Sequence, residues 1–92
     1  MILHPRPVNA SRFTFVPAEN LYIAEASDFG RDFPLGRVYD DAADLGFTLV
    51  SERGETVYAQ DGEERDREGD LLYEEYAPVS GPLTARVRIF ND

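Results

Sequence analysis

"FTLVSERGETVYAQ", residues 47–60, is the clearest structural signal in this chain. It joins two runs rich in β-branched and aromatic residues, Phe47–Ser51 and Thr56–Gln60, through the short connection "ERGE". Gly54 in that connection supplies the positive φ that a tight turn between antiparallel strands requires. The stretch therefore predicts a β-hairpin.

Other short runs of alternating polarity lie on both sides of the hairpin. The most regular is Thr84–Phe90, in which Ala85, Val87 and Ile89 face one side and two arginines face the other. Short strands at this spacing, with no long amphipathic helix, are typical of a small sheet or barrel. The sequence predicts a mainly β domain over residues 11–92, an antiparallel curved sheet or small barrel of about five to six strands with one or two short helical turns. Residues 1–10, rich in proline, are predicted to form an extended lead-in.

The predicted core consists of the large apolar side chains that these runs place on one face. Burying them is expected to offset the entropy of ordering a chain this short. The set is Phe13, Phe15, Leu21, Ile23, Phe29, Phe47, Leu49, Val57, Leu71, Tyr73, Val87 and Ile89.

Two similar phrases, "SDFG" ending at Gly30 and "ADLG" ending at Gly46, predict a repeated turn. In each, an Asp closes the turn, an apolar residue anchors it, and a glycine at positive φ redirects the chain. The triplet "DFG" also occurs in protein kinases, where the Asp binds magnesium. That chemistry needs a Gly-rich loop, a strand lysine and an HRD segment, and this chain has no lysine at all.

Composition excludes several kinds of site. The chain has no cysteine, which excludes disulfides, thiolate catalysis and cysteine-based metal sites. His4 is the single histidine, so a histidine-based triad or metal site is not expected. We predict no catalytic residue, no cofactor and no metal ion. No apolar run is long enough to cross a bilayer and no signal peptide is evident, so the expected location is the cytoplasm.

The charge is strongly negative and concentrated in the middle of the chain. Eighteen acids oppose nine arginines, which gives a net charge of −9, and residues 19–75 hold seventeen of the acids against five arginines. Direct binding to nucleic acid or to an anionic membrane requires a basic surface, and both are therefore disfavoured.

The segment "DGEERDREGD", residues 61–70, contains no apolar residue. A calcium loop is one reading, but the spacing does not match an EF-hand, and Arg65 and Arg67 would lie among the ligands. The alternatives are a solvated loop or a charged edge strand that discourages aggregation.

The functional prediction is a non-enzymatic, acidic domain that binds another protein. The alternative is an acidic inhibitor that imitates nucleic acid and occupies the groove of a DNA- or RNA-binding system, as anti-restriction and anti-CRISPR proteins do. An enzyme ranks third, since a chain this small rarely forms the cleft that paired carboxylates require. The candidate interaction surface combines acids with tyrosines, which are enriched at interfaces: Asp61, Glu63, Glu64, Asp66, Glu68, Asp70, Glu74, Glu75, Tyr58 and Tyr76.

Two phrases, "YIAEASDFG" (Tyr22–Gly30) and "IFND" (Ile89–Asp92), give the chain a family resemblance. It resembles a loose group of small uncharacterised bacterial proteins that share the phrase "F-x-A-E-A-S-D-L-G" and end in "F-N-D". This chain has Phe29 where that group has leucine. The resemblance implies a free-standing bacterial protein, and it brings no activity, cofactor or catalytic residue.

Overall fold

A computed structural model describes residues 6–28 and 46–91 of the chain. These residues form seven β-strands, with short 3-10 helices at Ala10–Arg12 and Pro17–Glu19. The strands are β1 (Arg6–Asn9), β2 (Thr14–Val16), β3 (Leu21–Glu25), β4 (Gly46–Ser51), β5 (Gly54–Arg65), β6 (Leu71–Ser80) and β7 (Arg86–Phe90).

All seven strands belong to one curled sheet in the order β1-β4-β5-β6-β7-β3-β2, which forms a half-barrel. The predicted class, a small mainly β domain with a curved sheet, is confirmed. The pairing differs in one respect, because β1 pairs with β4 and β3 pairs with β7 in parallel. The other four pairs are antiparallel, as expected.

The two edge strands, β1 and β2, are consecutive in the chain. The successive pairings require β1 and β2 to run in the same direction, and only the 3-10 helix Ala10–Arg12 and Phe13 separate them. Residues 6–16 therefore act as one bent strand whose first half joins one edge of the sheet and whose second half joins the other. The described sheet has seven strands, against the five to six that the sequence predicted, and the edge strand β1 is the one that the predicted domain did not include. The bend is stabilised by Asn9, whose side-chain oxygen accepts a hydrogen bond from the Ser11 amide at 3.0 Å.

The predicted domain boundary at residue 10 is wrong. Residues Arg6–Asn9 pair with β4, and Val8 is buried against the core. The prolines around Arg6 suggested a lead-in, but proline is compatible with a strand at the edge of a sheet, where one side of the backbone has no neighbour to bond. The sheet therefore includes residues 6–9 of the segment that the sequence assigned to the lead-in.

The hairpin predicted from residues 47–60 is confirmed. Ser51 pairs with Gly54 across the turn, and Gly54 has a φ of 121°. Beyond the hairpin, β5 continues to Arg65 and pairs with β6 along a ribbon interrupted by three register shifts. At the middle shift, between Gln60 and Gly62, Asp61 is the extra residue on β5, as in a β-bulge.

The core lies on the inner face of the curled sheet, where Phe47 is stacked between Phe13 and Tyr58. Six predicted core residues are buried: Phe13, Leu21, Phe47, Leu49, Val87 and Ile89. The prediction is wrong for Phe15, which is 43% exposed. Four other predicted core residues are only half-buried: Ile23, Val57, Leu71 and Tyr73. Phe29 lies outside the described residues.

On β6 the sequence suggested the wrong face. We expected Leu71 and Tyr73 to point inward, but Glu74 and Tyr76 do so, opposite Ile89 and Val87 of β7. Tyr73 instead pairs with Phe90 on the outer face. Because the side-chain period of a strand is two, an error of one residue reverses every side chain.

The repeated-turn prediction is only partly testable, since Gly30 and Asp44 lie outside the described residues. Asp28 closes a local turn as expected, with its carboxylate accepting a hydrogen bond from the Glu25 amide at 3.2 Å. Gly46 does not have the predicted positive φ; it is the first residue of β4. A glycine is needed there for another reason, because a Cβ at this position would lie 2.1 Å from the carbonyl oxygen of Tyr58.

Candidate interaction surface

The acidic segment forms the far end of the β5–β6 ribbon. Residues 61–65 belong to β5, so this half of the segment is a charged strand rather than a loop. Pairing of β4 with β5 reaches only Ala59, and within the described part of the chain the rest of β5 pairs with β6 alone. The ribbon thus places these charges at one end of the sheet.

Asp66 holds the turn that links the two strands. Its Oδ1 accepts hydrogen bonds from the backbone amides of Glu68 and Asp70, both at 2.9 Å. The Gly69 amide donates to the Asp66 carbonyl at 3.1 Å, and Arg65 Nη1 donates to the Gly69 carbonyl at 2.8 Å. These bonds order residues 66–70, so the turn presents its remaining side chains in a defined arrangement.

Two of the predicted surface acids are neutralised within the sheet. Asp61 accepts from Arg86 Nη2 at 2.6 Å, and Glu75 lies between Arg86 at 2.7 Å and Arg88 at 2.6 Å. The bulge at Asp61 allows its carboxylate to reach Arg86, which lies two strands away in β7. We call these four side chains, Asp61, Arg86, Glu75 and Arg88, the charge ladder.

The sequence predicted that Arg86 and Arg88 face outward, which is confirmed, but it gave no partner for them. Their partners come from strands 11 to 25 residues away, and only the strand order brings them together. Hydrogen bonds from Arg88 and then Arg86 lower the pKa of the Glu75 carboxyl group, and bonds to Asp61 and Glu75 raise the pKa of Arg86.

The lowered pKa of Glu75 predicts a specific loss of stability in acid. A carboxyl group whose folded pKa lies below its unfolded value stabilises the fold above the unfolded pKa, near 4.5, and this contribution is lost as the pH falls through the folded pKa. The ladder is partly exposed, so we expect Glu75→Gln to cost only about 1 kcal/mol at pH 7. Melting temperatures followed by circular dichroism should therefore converge for wild type and Glu75→Gln between pH 5 and pH 3.

Glu55→Gln, at an exposed position, is the control, and the difference between its melting temperature and that of wild type should not change over this pH range. If the difference for Glu75→Gln also stays constant, the charge ladder is contradicted.

Three predicted surface residues, Tyr58, Tyr76 and Glu74, are buried and cannot contact a partner. The two tyrosines are 1% and 0% exposed because they face the core and pack against Phe47. The Tyr58 hydroxyl donates to the Ala85 carbonyl at 2.7 Å, and burial together with the nearby Tyr22 raises the pKa of Tyr58 to about 12. The predicted surface is wrong at these positions.

Glu74 is a buried carboxylate, 4% exposed, on the inner face of β6. It accepts hydrogen bonds from the Tyr76 hydroxyl at 3.2 Å and from Gln60 Nε2 at 3.4 Å. These two hydrogen bonds satisfy the carboxylate without an arginine, which explains how an acid can be buried here. The sequence pattern had placed Glu74 on the surface.

The other predicted acids lie at the end of the ribbon. Glu63 forms an ion pair with Arg65, and Asp66 holds the turn. The carboxylates of Glu64, Glu68 and Asp70 accept no hydrogen bond and form no ion pair within residues 6–28 and 46–91. We call these three residues the acidic tip.

Carboxylate oxygens of Asp66, Glu68 and Asp70 lie within 4.8 Å of one another, a spacing that a cation could bridge. Asp66 already uses one oxygen to hold the turn, and both neighbouring acids are exposed. Nothing further in the described residues indicates an ion, and we assign no metal site here.

No helix within residues 6–28 and 46–91 is long and apolar enough to cross a membrane. Comparison with known proteins adds no identification, because no protein-family model, no curated protein and no solved structure significantly matches this chain. The resemblance to the bacterial group with the "ASDLG" phrase stays a prediction.

Proposed function

We propose that this protein is a non-enzymatic interaction domain that binds a basic surface of another protein through its acidic tip. The observation that carries this proposal is the acidic tip itself: Glu64, Glu68 and Asp70 lack an internal partner within the described residues, while the other acids of residues 61–75 are paired, buried or used to hold the turn.

The arrangement suits recognition of a basic partner. Carboxylates on an ordered turn lose less conformational freedom on binding than carboxylates on a flexible loop, which reduces the entropic cost of association. The net charge of −9 would also attract a basic partner over a distance and increase the association rate.

A non-enzymatic role and a cytoplasmic location are two further parts of the proposal. Hydrogen bonds from Arg88 and Arg86 lower the pKa of the Glu75 carboxyl group, so this residue suits an ion pair and does not suit general acid catalysis. The absence of cysteine is consistent with a cytoplasmic location.

The nucleic-acid-mimic alternative has less support. A mimic needs a row of unpaired carboxylates that replaces a phosphate backbone. Asp61 and Glu75 instead lie in the charge ladder, and Glu74 is buried. Three unpaired acids at one tip form a small contact rather than an extended one.

A differential capture experiment tests the proposal. Wild type, the tip variant Glu64→Arg/Glu68→Arg and the charge-matched variant Glu52→Arg/Glu55→Arg are immobilised and exposed to extract of the source organism. Both variants change the net charge equally, but Glu52 lies in the β4–β5 turn and Glu55 at the start of β5, at the opposite end of that strand from the acidic tip. We expect wild type and the matched variant to retain the same basic protein, in a salt-sensitive manner, and the tip variant to lose it.

Three results would overturn the proposal. Equal loss from both variants would show that net charge, rather than the acidic tip, controls capture. Retention by all three proteins would show that the contact lies elsewhere. Loss of the same protein when double-stranded DNA is added would favour the mimic instead, because DNA would compete for the same groove.

A further inference from the structure

A groove lies at the mouth of the curled sheet, at the opposite end of β5 from the acidic tip. It has a volume of about 710 Å³, and barrel mouths are common sites for small ligands. Its walls come from the bent strand near Ala10 and Phe15, from the β4–β5 turn at Glu52 and Arg53, and from Leu83.

Aromatic rings form one side of this groove. Phe15 packs against Tyr22 with ring centroids 4.8 Å apart, and Phe13 meets Tyr22 edge-on at 6.2 Å. Phe15 is 43% exposed although it lies on the inner face of β2, so part of its ring remains available to a ligand. The Tyr22 hydroxyl has no hydrogen-bond partner in the described part of the chain.

The groove continues into a smaller section of about 320 Å³ that shares Phe15, Tyr22, Arg53 and Leu83 with it. The smaller section is completed by Asn20, Thr84 and Ala85, so Arg53 is the one charged residue among the described residues that line it. Arg53 forms no ion pair within residues 6–28 and 46–91, whereas Arg65, Arg86 and Arg88 each have a carboxylate partner.

We propose that this groove binds a small aromatic carboxylate. Its ring would pack against Phe15 and Tyr22, and its carboxylate would accept hydrogen bonds from the Arg53 guanidinium, which suits a planar anion. Charge complementarity favours an anion in the smaller section, because Arg53 is the charged residue that lines it and has no ion-pair partner in the described residues. The groove thus offers a positive charge within a protein whose net charge is −9. This binding site is independent of the acidic tip and goes beyond the proposed function.

A pair of matched probes tests the charge requirement. Amide spectra of ¹⁵N-labelled protein are recorded during titration with 2-naphthoate and with its neutral counterpart 2-naphthamide. We expect shifts confined to residues that line the groove, and a dissociation constant for naphthoate about fivefold below that of the amide, the size expected for one partly exposed ion pair. Absence of binding at millimolar concentration, shifts outside the groove, or equal affinity for the two probes would overturn the proposal.

Variants then separate the roles of the two contacts. Arg53→Gln should remove the preference for naphthoate and leave naphthamide binding unchanged, while Phe15→Ala should weaken both probes. The control is Arg67→Gln, which removes another exposed arginine at the far end of the molecule and should leave both affinities unchanged. If Arg67→Gln reduces naphthoate binding as much as Arg53→Gln does, the effect is one of net charge and the assignment of Arg53 is wrong. Melting temperatures within a few degrees of wild type would show that each variant is folded.

Discussion

Gly81→Ala is expected to destabilise the fold by about 4 kcal/mol, the sum of backbone strain and a steric collision. Gly81 has a φ of 124°, a region that L-amino acids rarely adopt. A Cβ there would also lie 2.6 Å from both the Glu55 carbonyl oxygen and the Thr56 Cα. The chain needs this close approach because residues 81–85 cross over β5, where the Leu83 amide bonds to the Thr56 hydroxyl at 3.2 Å.

Gly54→Ala is the matched control for this prediction. Gly54 has nearly the same φ, 121°, but the nearest atom to an alanine Cβ at this position would be Pro82 Cγ at 4.0 Å. Its substitution should therefore cost only the strain, about 2 kcal/mol. Chemical denaturation of the three proteins measures both values. Equal losses for Gly54→Ala and Gly81→Ala would contradict the close approach of residues 81–85 to β5.

Gly46→Ala is expected to cost about 3 kcal/mol, although its φ is unstrained. The new Cβ would lie 2.1 Å from the Tyr58 carbonyl oxygen and 3.2 Å from the Ala59 Cα. Both atoms are backbone atoms of the paired strand, so the overlap can be relieved only by moving β4 away from β5.

Gly46→Asn separates this explanation from the turn that the sequence suggested. Asn is the residue other than glycine that best tolerates positive φ, so a turn residue should accept Asn better than Ala. In a strand, both side chains carry the same Cβ, and we expect Gly46→Asn to unfold at no higher denaturant concentration than Gly46→Ala. Gly62→Ala, with no atom within 4 Å of its Cβ position, should change stability by less than about 0.5 kcal/mol. If Gly46→Asn is clearly more stable than Gly46→Ala, Gly46 is a turn residue at positive φ and the explanation by strand packing is wrong.

Local patterns predicted the parts of the fold that depend on local physics. The β4–β5 hairpin follows from two β-rich runs and a glycine at the turn, and the alternation of Arg86–Phe90 places Val87 and Ile89 in the core. These features need no knowledge of distant partners, because turn geometry and side-chain period are properties of neighbouring residues.

The remaining features depend on contacts between distant segments. The inward face of β6 could not be predicted, since Leu71, Leu72, Tyr73 and Tyr76 give apolar residues on both faces. The parallel pairing of β1 with β4 also has no local signature, because the two strands are far apart in the chain. The groove was missed for the same reason: Phe15, Arg53 and Leu83 come from three separate segments.

The candidate surface also combines features that local sequence predicts with features that depend on distant contacts. Counting charges correctly identified residues 61–75 as acidic, but counting could not separate paired from unpaired acids. Asp61 and Glu75 are neutralised by arginines of β7. Glu74 is buried because β6 turns the face opposite to the predicted one toward the core. Strand order removes these three acids from the candidate surface, and the local contacts of Glu63 and Asp66 reduce what remains to the acidic tip.

The central claim is that the acidic tip is the surface that binds a partner. Amide chemical shifts of the ¹⁵N-labelled protein, recorded while the captured basic protein is added, test it most directly. We expect the largest shifts on residues 62–71, with little change at the charge ladder or at the groove. Shifts that fall instead on the groove, or on the outer face around Arg86 and Arg88, would contradict the claim.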